Sequence, residues 1–156
     1  MTRTTGTEGR PLVPEELSDR VDCLLSKVAE AVRKDTDATF ASLDIRGAHH
    51  SVLRMLGVCG PLAQKDLAAR LRVDSSTIVD LVDQLEGRGL AERRRDLKDR
   101  RVYLVELTES GQRLLAAADE RVGGLRHDVF AALSAAEYEQ LRGLLDKLST
   151  RWTTSA

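Results

Sequence analysis

Residues 64–107 read "QKDLAARLRVDSSTIVDLVDQLEGRGLAERRRDLKDRRVYLVEL", and the order of periods within them decides the fold. Leu67, Ala68 and Leu71 have helical spacing, and "RVDS" then breaks it. Ile78, Leu81, Val82 and Leu85 share one face of a second helix, which runs to Gly89, a residue suited to a C-terminal cap. Asp74 or Ser75 is placed to cap its start. A short helix, a three- or four-residue turn and a second helix is the spacing of a helix-turn-helix, and Ala68 is small where the two backbones approach. "GLAERRR" and "RVYLVEL" alternate as strands joined by the charged turn "DLKD". A helix-turn-helix followed directly by a two-stranded wing is a winged helix. The expected fold class is therefore mainly α, an α+β winged helix-turn-helix flanked by helices.

On the N-terminal side, residues 1–13 are polar and Gly/Thr-rich and read as a flexible tail. From Pro14 a helix is expected, with Leu17, Val21, Leu24, Val28 and Val32 forming one apolar stripe. After a polar stretch, "IRGAHHSVLRMLGVCG" (45–60) reads as a second helix stopped by Gly57, Gly60 and Pro61. On the C-terminal side Thr108 caps a long helix, expected to loosen at Gly123-Gly124. "SAAEYEQLRGLLDKLSTRW" (134–152) opens with a capping box, Ser134 and Glu137. Along it Tyr138, Leu141, Leu145, Leu148 and Trp152 form a seam for another helix. At 156 residues the chain has the size of one domain, here 14–156, with no internal repeat.

Composition narrows the function. Aromatic residues make up 3 %, no run of 18 apolar residues occurs and the N-terminus has no apolar signal-type segment, so a soluble cytoplasmic protein with no membrane partner is expected. Cys23 and Cys59 lack metal-type spacing and read as small apolar fillers, and no metal or cofactor is expected. A Gly-rich phosphate loop, an HExxH pair and a serine elbow are all missing, which argues against an enzyme.

Charge is concentrated rather than abundant. The chain carries a net −1, yet residues 88–101 hold seven basic and three acidic side chains, a local net of +4. Neutralising phosphates releases condensed counterions, so such a patch binds DNA without a basic protein overall. Arg94, Arg95, Lys98, Arg100 and Arg101 lie on the wing, whose tip is narrow enough for a minor groove. Asp99 is placed to orient the Arg101 guanidinium. Ser75, Ser76 and Thr77 begin the second helix of the motif, where side chains reach base edges and free amides bind phosphate; Gln84 and Arg88 lie further along. Asp80 and Asp83 oppose simple electrostatic adhesion by this helix, and Asp80 is expected to face solvent.

The pieces "DLAARL", "DSSTIVDLVDQLE", "GLAERRRD", "DRR" and "LTESG", with the flanking helices over roughly 15–152, resemble the MarR (multiple antibiotic resistance regulator) family of bacterial transcription factors. The resemblance implies a homodimeric winged-helix repressor on a pseudo-palindromic operator of double-stranded DNA, with Arg101 and Asp99 matching the family's wing-tip Asp-x-Arg motif. It implies dimerisation helices at about 14–36 and 109–152, a reading unit at about 44–107, and release by a small aromatic or phenolic ligand. Leu17, Val21, Leu24, Tyr138, Leu141, Leu145, Leu148 and Trp152 are then the dimer interface, and a two-fold dimer doubles the +4 on one face. Positions 80 and 84, often basic in relatives, are Asp and Gln here. Arg46, His49 and His50 are the ligand-site candidates, His49 facing the cleft between the lobes. Cys23 on the first helix offers a redox-sensing alternative, and His49, His50 and His127 with Cys23 a zinc-sensing one. A third alternative is a winged-helix adaptor that binds protein rather than DNA, against which the wing arginines speak.

Overall fold

The computed structural model describes residues 12–152, apart from the side chains of Arg126, His127 and Trp152. Most of the expected tail lies outside the described residues, but Val13 at its end is buried.

The first helix begins later and ends later than its apolar stripe implies. Glu15–Leu17 form a single 3-10 turn, closed by the Ser18 hydroxyl donating to the Glu15 carbonyl at 2.7 Å. Arg20 is extended, so helix α1 starts at Val21 and runs to Phe40 (Val21–Phe40). The polar residues after 33 continue that helix because Phe40, fully buried, anchors its end in the core. Helix α2 spans Gly47–Cys59. Gly57 does not stop it: a Cβ there would sit 2.6 Å from Leu115, so this glycine permits close packing of the next long helix. Gly60, at φ +74°, is the residue that ends α2.

A two-residue strand β1 (Leu62–Ala63), too short to show alternation, precedes helix α3 (Gln64–Leu71) and helix α4 (Ser75–Gly87). Gly89 adopts φ +66° and the Leu90 amide donates to the Leu85 carbonyl, the close expected of a glycine-capped helix. Strands β2 (Ala91–Arg95) and β3 (Tyr103–Leu107) pair antiparallel, Arg93 opposite Val105, and β1 joins the other edge of β3. Helix α5 (Glu109–Val129) is continuous through Gly123-Gly124, and helix α6 (Ala135–Ser149) carries the expected Ser134–Glu137 capping box.

Leu53, Leu56, Leu67, Ile78, Val82, Leu85 and Val105 meet in one buried cluster. This core joins α2, α3, α4 and the sheet, and α1 and α5 close it through Phe40 and Ala118. The fold is mainly α with a small antiparallel sheet, a winged helix-turn-helix. Among the described residues no helix is long and apolar enough to cross a membrane.

Candidate nucleic-acid interface

Helix α4 buries Ile78, Leu81, Val82 and Leu85, which leaves Ser75, Ser76, Val79, Asp80 and Asp83 on its exposed face. Asp74 is the cap. Its carboxylate accepts from the Thr77 amide at 2.8 Å, the Thr77 hydroxyl at 2.7 Å and the Ser76 hydroxyl at 2.5 Å. Those bonds, the Ser76 hydroxyl's foremost, hold its pKa far below the ordinary carboxylate range. Two consequences revise the expectation for this turn. The Thr77 amide is already satisfied, and the Asp74 charge occupies the positive helix end, so this turn is poorly suited to hold phosphate. The Ser76 and Thr77 hydroxyls both donate to Asp74, so the exposed Ser76 oxygen has only acceptor capacity left, while Thr77 is half-buried.

Arg88 and Arg93 belong to the protein's own framework. Arg88 donates to the carbonyls of Asp44 at 2.5 Å and Leu43 at 3.1 Å, tying the end of α4 to the turn after α1. Arg93 reaches from β2 to Asp83 at 2.5 Å and to Glu86, both on α4, while its Nε donates to Gln64 at 3.1 Å. The wing and α4 are thereby joined by one guanidinium. Asp83, which by sequence only weakened the basic character of α4, is one of its anchors. The signal that would have shown this is the pairing of an acidic i, i+3 couple, Asp83 and Glu86, with the first strand after the helix.

The remaining wing cations divide into two sets. Arg94 bridges Glu92 and Glu106 at 2.7 Å each, and Arg95 donates to the Tyr103 hydroxyl at 3.0 Å while lying over its ring. Lys98, Arg100 and Arg101, at the tip, make no side-chain hydrogen bond or ion pair among the described residues. Asp99 does not orient the Arg101 guanidinium: its carboxylate accepts from the Arg101 backbone amide at 3.0 Å. Asp96 does the same for the Lys98 amide at 2.8 Å. The two aspartates build the turn, and the cations point free of it.

The ligand-site candidates separate. His49 is 6 % exposed. Its Nδ1 accepts from the Arg46 amide at 3.1 Å, which leaves the proton on Nε2, 3.0 Å from the Gln84 amide oxygen. Burial, the largest influence, holds this imidazole's pKa below its ordinary value. His49 thus caps α2 and links it to α4. Arg46, His49, Gln84 and Arg88 line a cavity of about 590 Å³ beside α4. His50 points elsewhere, stacking on Phe40 and bonding Asp119 on α5 at 2.8 Å. With Arg33, Thr36, Arg46, Leu81 and Val122 it lines a second, open cavity of about 560 Å³ bordered by α1, α2, α4 and α5. Cys23 lines neither, and no cluster of three or more His, Cys, Asp or Glu fit for a metal occurs among the described residues.

The expected interface residues lie on open faces. Leu17, Val21, Leu24, Leu145 and Leu148 are exposed, Val21 at 73 %, and Leu141 is half-buried. No residue of α6 is buried. Tyr138 instead packs edge-on against Phe130, centroids 5.3 Å apart. The Trp152 and His127 side chains lie outside the described residues.

Residues 47–103 match the MarR family. A curated Thauera aromatica protein, named for regulation of the hcr operon, is 37 % identical over 99 residues, 64 % of this chain; the chain spans 60 % of that relative's length. CouR from Rhodococcus jostii RHA1, solved bound to p-coumaroyl-CoA, is 32 % identical with a TM-score of 0.78, covering 92 % of this chain and 99 % of CouR. A mutant MarR from E. coli, solved complexed with operator DNA, is 27 % identical with a TM-score of 0.75, covering 80 % of this chain and 90 % of that one.

Proposed function

This chain belongs to the MarR family of transcriptional regulators, and we propose that it works as a homodimeric repressor of a pseudo-palindromic operator. The observation that carries the DNA reading is the wing tip: three cations, Lys98, Arg100 and Arg101, held out on a turn that its own aspartates close. Each tip enters a minor groove, where negative potential favours arginine. Helix α4 lies in the adjacent major groove. There Ser76, with only acceptor capacity to offer, accepts hydrogen bonds from the exocyclic amino groups of adenine or cytosine, Thr77 sets the start of the helix, and Ser75 keeps both roles open. Arg94 and Arg95 border the backbone. Gln84 and Arg88 act through His49 and the Leu43–Asp44 carbonyls, and so set the helix rather than touch bases.

The two copies join through the open apolar faces of α1 and α6, leaving residues 44–107 as the reading unit. Those faces hold Val21, Leu24, Leu141, Leu145 and Leu148, and Leu17 in the turn before α1 adds to them. An apolar contact of this extent in water favours association. A small aromatic acid is the effector. Arg33 and Arg46 offer cations for a carboxylate at the cavity that His50 also lines, beside the apolar Leu81 and Val122, and CouR was solved holding an aromatic acyl thioester. Because α1, α2, α4 and α5 all wall this cavity, filling it alters the angle between the dimer helices and the reading unit.

The test is to retain fragments of the chain's own genome on the purified protein and sequence them. A two-fold symmetric motif is expected, protected at its centre and on its flanks. Arg101→Ala should lose flank protection and keep the dimer. Retention without sequence preference would contradict an operator, and an effector screen in which no aromatic acid releases the DNA would contradict the ligand.

A further inference from the structure

Leu97 stands at the vertex of the wing, 98 % exposed. The turn that carries it closes without help from its side chain. The Asp96 amide donates to the Val102 carbonyl and the Val102 amide to the Asp99 carbonyl, both at 2.9 Å. Asp96 and Asp99 bind the amides of Lys98 and Arg101. Positions in such turns favour Gly, Asn, Asp, Pro or Ser for backbone reasons, and leucine meets none of them. Most other exposed large apolar residues lie on α1 and α6, the faces assigned above to the second copy. Leu97 lies on neither, and it sits beside Lys98, Arg100 and Arg101, which have no side-chain partner among the described residues.

We propose that Leu97 is an apolar contact to the minor groove of duplex DNA, packing against the deoxyribose walls while the neighbouring cations take the phosphates. This rests on the DNA reading given above and adds a residue to it. The groove is about 6 Å wide and its walls are sugar C–H surface, so a lone branched side chain on a narrow turn fits where a helix does not. Minor-groove proteins also carry apolar side chains, leucine among them, into this groove, where they wedge between base steps. The cations attract the wing from a distance and their effect weakens with salt. Burying leucine releases water rather than counterions, so its share of affinity persists as salt rises.

The experiment uses the full chain and a duplex fragment that the wild-type protein retains from its own genome. Leu97→Ser should keep the wild-type urea midpoint and the dimer. It should lose about tenfold in affinity, the scale set by burying one leucine side chain, and keep the wild-type slope of log affinity against log salt. Lys98→Ala with Arg100→Ala should lower that slope. Binding by Leu97→Ser within twofold of wild type overturns the proposal, as does a changed slope or a monomeric Leu97→Ser protein. If the wild-type chain itself retains no duplex, the DNA reading falls, and the proposal with it.

Discussion

Replacing Arg93 with methionine removes the guanidinium that joins the wing to the recognition helix while keeping the aliphatic stem. The side chain is 22 % exposed and serves three partners: Asp83, Glu86 and Gln64. Hydrogen bonds to charged groups contribute about 1.5–3 kcal/mol each when their partners stay buried. Asp83 and Glu86 are both open to water, which rehydrates them once the arginine is gone and cuts each contribution towards the roughly 0–1 kcal/mol of a surface pair. The net loss is therefore about 1–2 kcal/mol. At a urea sensitivity of about 2 kcal/mol per molar, the unfolding midpoint falls by roughly 0.5–1 M.

The DNA effect should exceed that of losing one exposed charge. Arg93→Met frees Asp83, leaves Glu86 with the Arg93 backbone amide alone, and loosens the spacing between α4 and the wing. Arg93→Lys, which keeps the charge but cannot fork to both carboxylates, should fall between the two. Chemical unfolding and fluorescence anisotropy on the same duplex read both quantities. An Arg93→Met protein with wild-type midpoint and wild-type affinity would refute the strut, and wild-type behaviour in Arg93→Lys alone would reduce it to a charge.

Three further outcomes follow from particular contacts. A Cβ at Gly111 would lie 1.9 Å from the Leu90 carbonyl oxygen, where the Thr108 amide also bonds, so Gly111→Ala must part α5 from the wing. It should cost about 2–4 kcal/mol by urea unfolding, and a loss under 0.5 kcal/mol would show that the junction yields. Burial keeps His49 neutral below its ordinary pKa of 6.5, so between that value and the lowered one the unfolded chain binds a proton that the folded chain refuses. Stability should then fall as pH drops below 6.5, by up to about 1.4 kcal/mol per unit. His49→Gln should lack that component, and identical pH profiles for the two proteins would contradict it. Leu145→Asp, on the open face of α6, should sediment as a folded monomer with no measurable DNA affinity; a stable dimer would remove α6 from the interface.

The winged helix was legible because its elements are local. Ile78, Leu81, Val82 and Leu85 announce their face within one helix, Gly89 announces its end, and the alternating "RVYLVEL" announces a strand. Non-local contacts were silent. Phe40 extends α1 through a polar segment because the core behind it is assembled from α2 and α5. Gly57 resembles a helix stop until Leu115, from another helix, is seen against it. In the interface the kind of charge was legible and its use was not. Seven basic residues between 88 and 101 look alike in sequence. Arg88 and Arg93 turn inward to carbonyls and carboxylates, Arg94 and Arg95 pair across the hairpin, and only the tip remains free among the described residues. Asp99 shows the same limit: its sequence position suits it to orient the Arg101 guanidinium, and its carboxylate accepts from the Arg101 backbone amide instead.

The most direct measurement is the affinity of the purified chain for duplex DNA carrying the sequence it retains, taken across a salt series. A straight fall of log affinity against log salt is expected, with a slope of about −0.9 per phosphate contact. Lys98→Ala, Arg100→Ala and Arg101→Ala together should shallow that slope. Absence of binding in dilute salt, or a slope that those three substitutions leave unchanged, would contradict DNA reading through the wing.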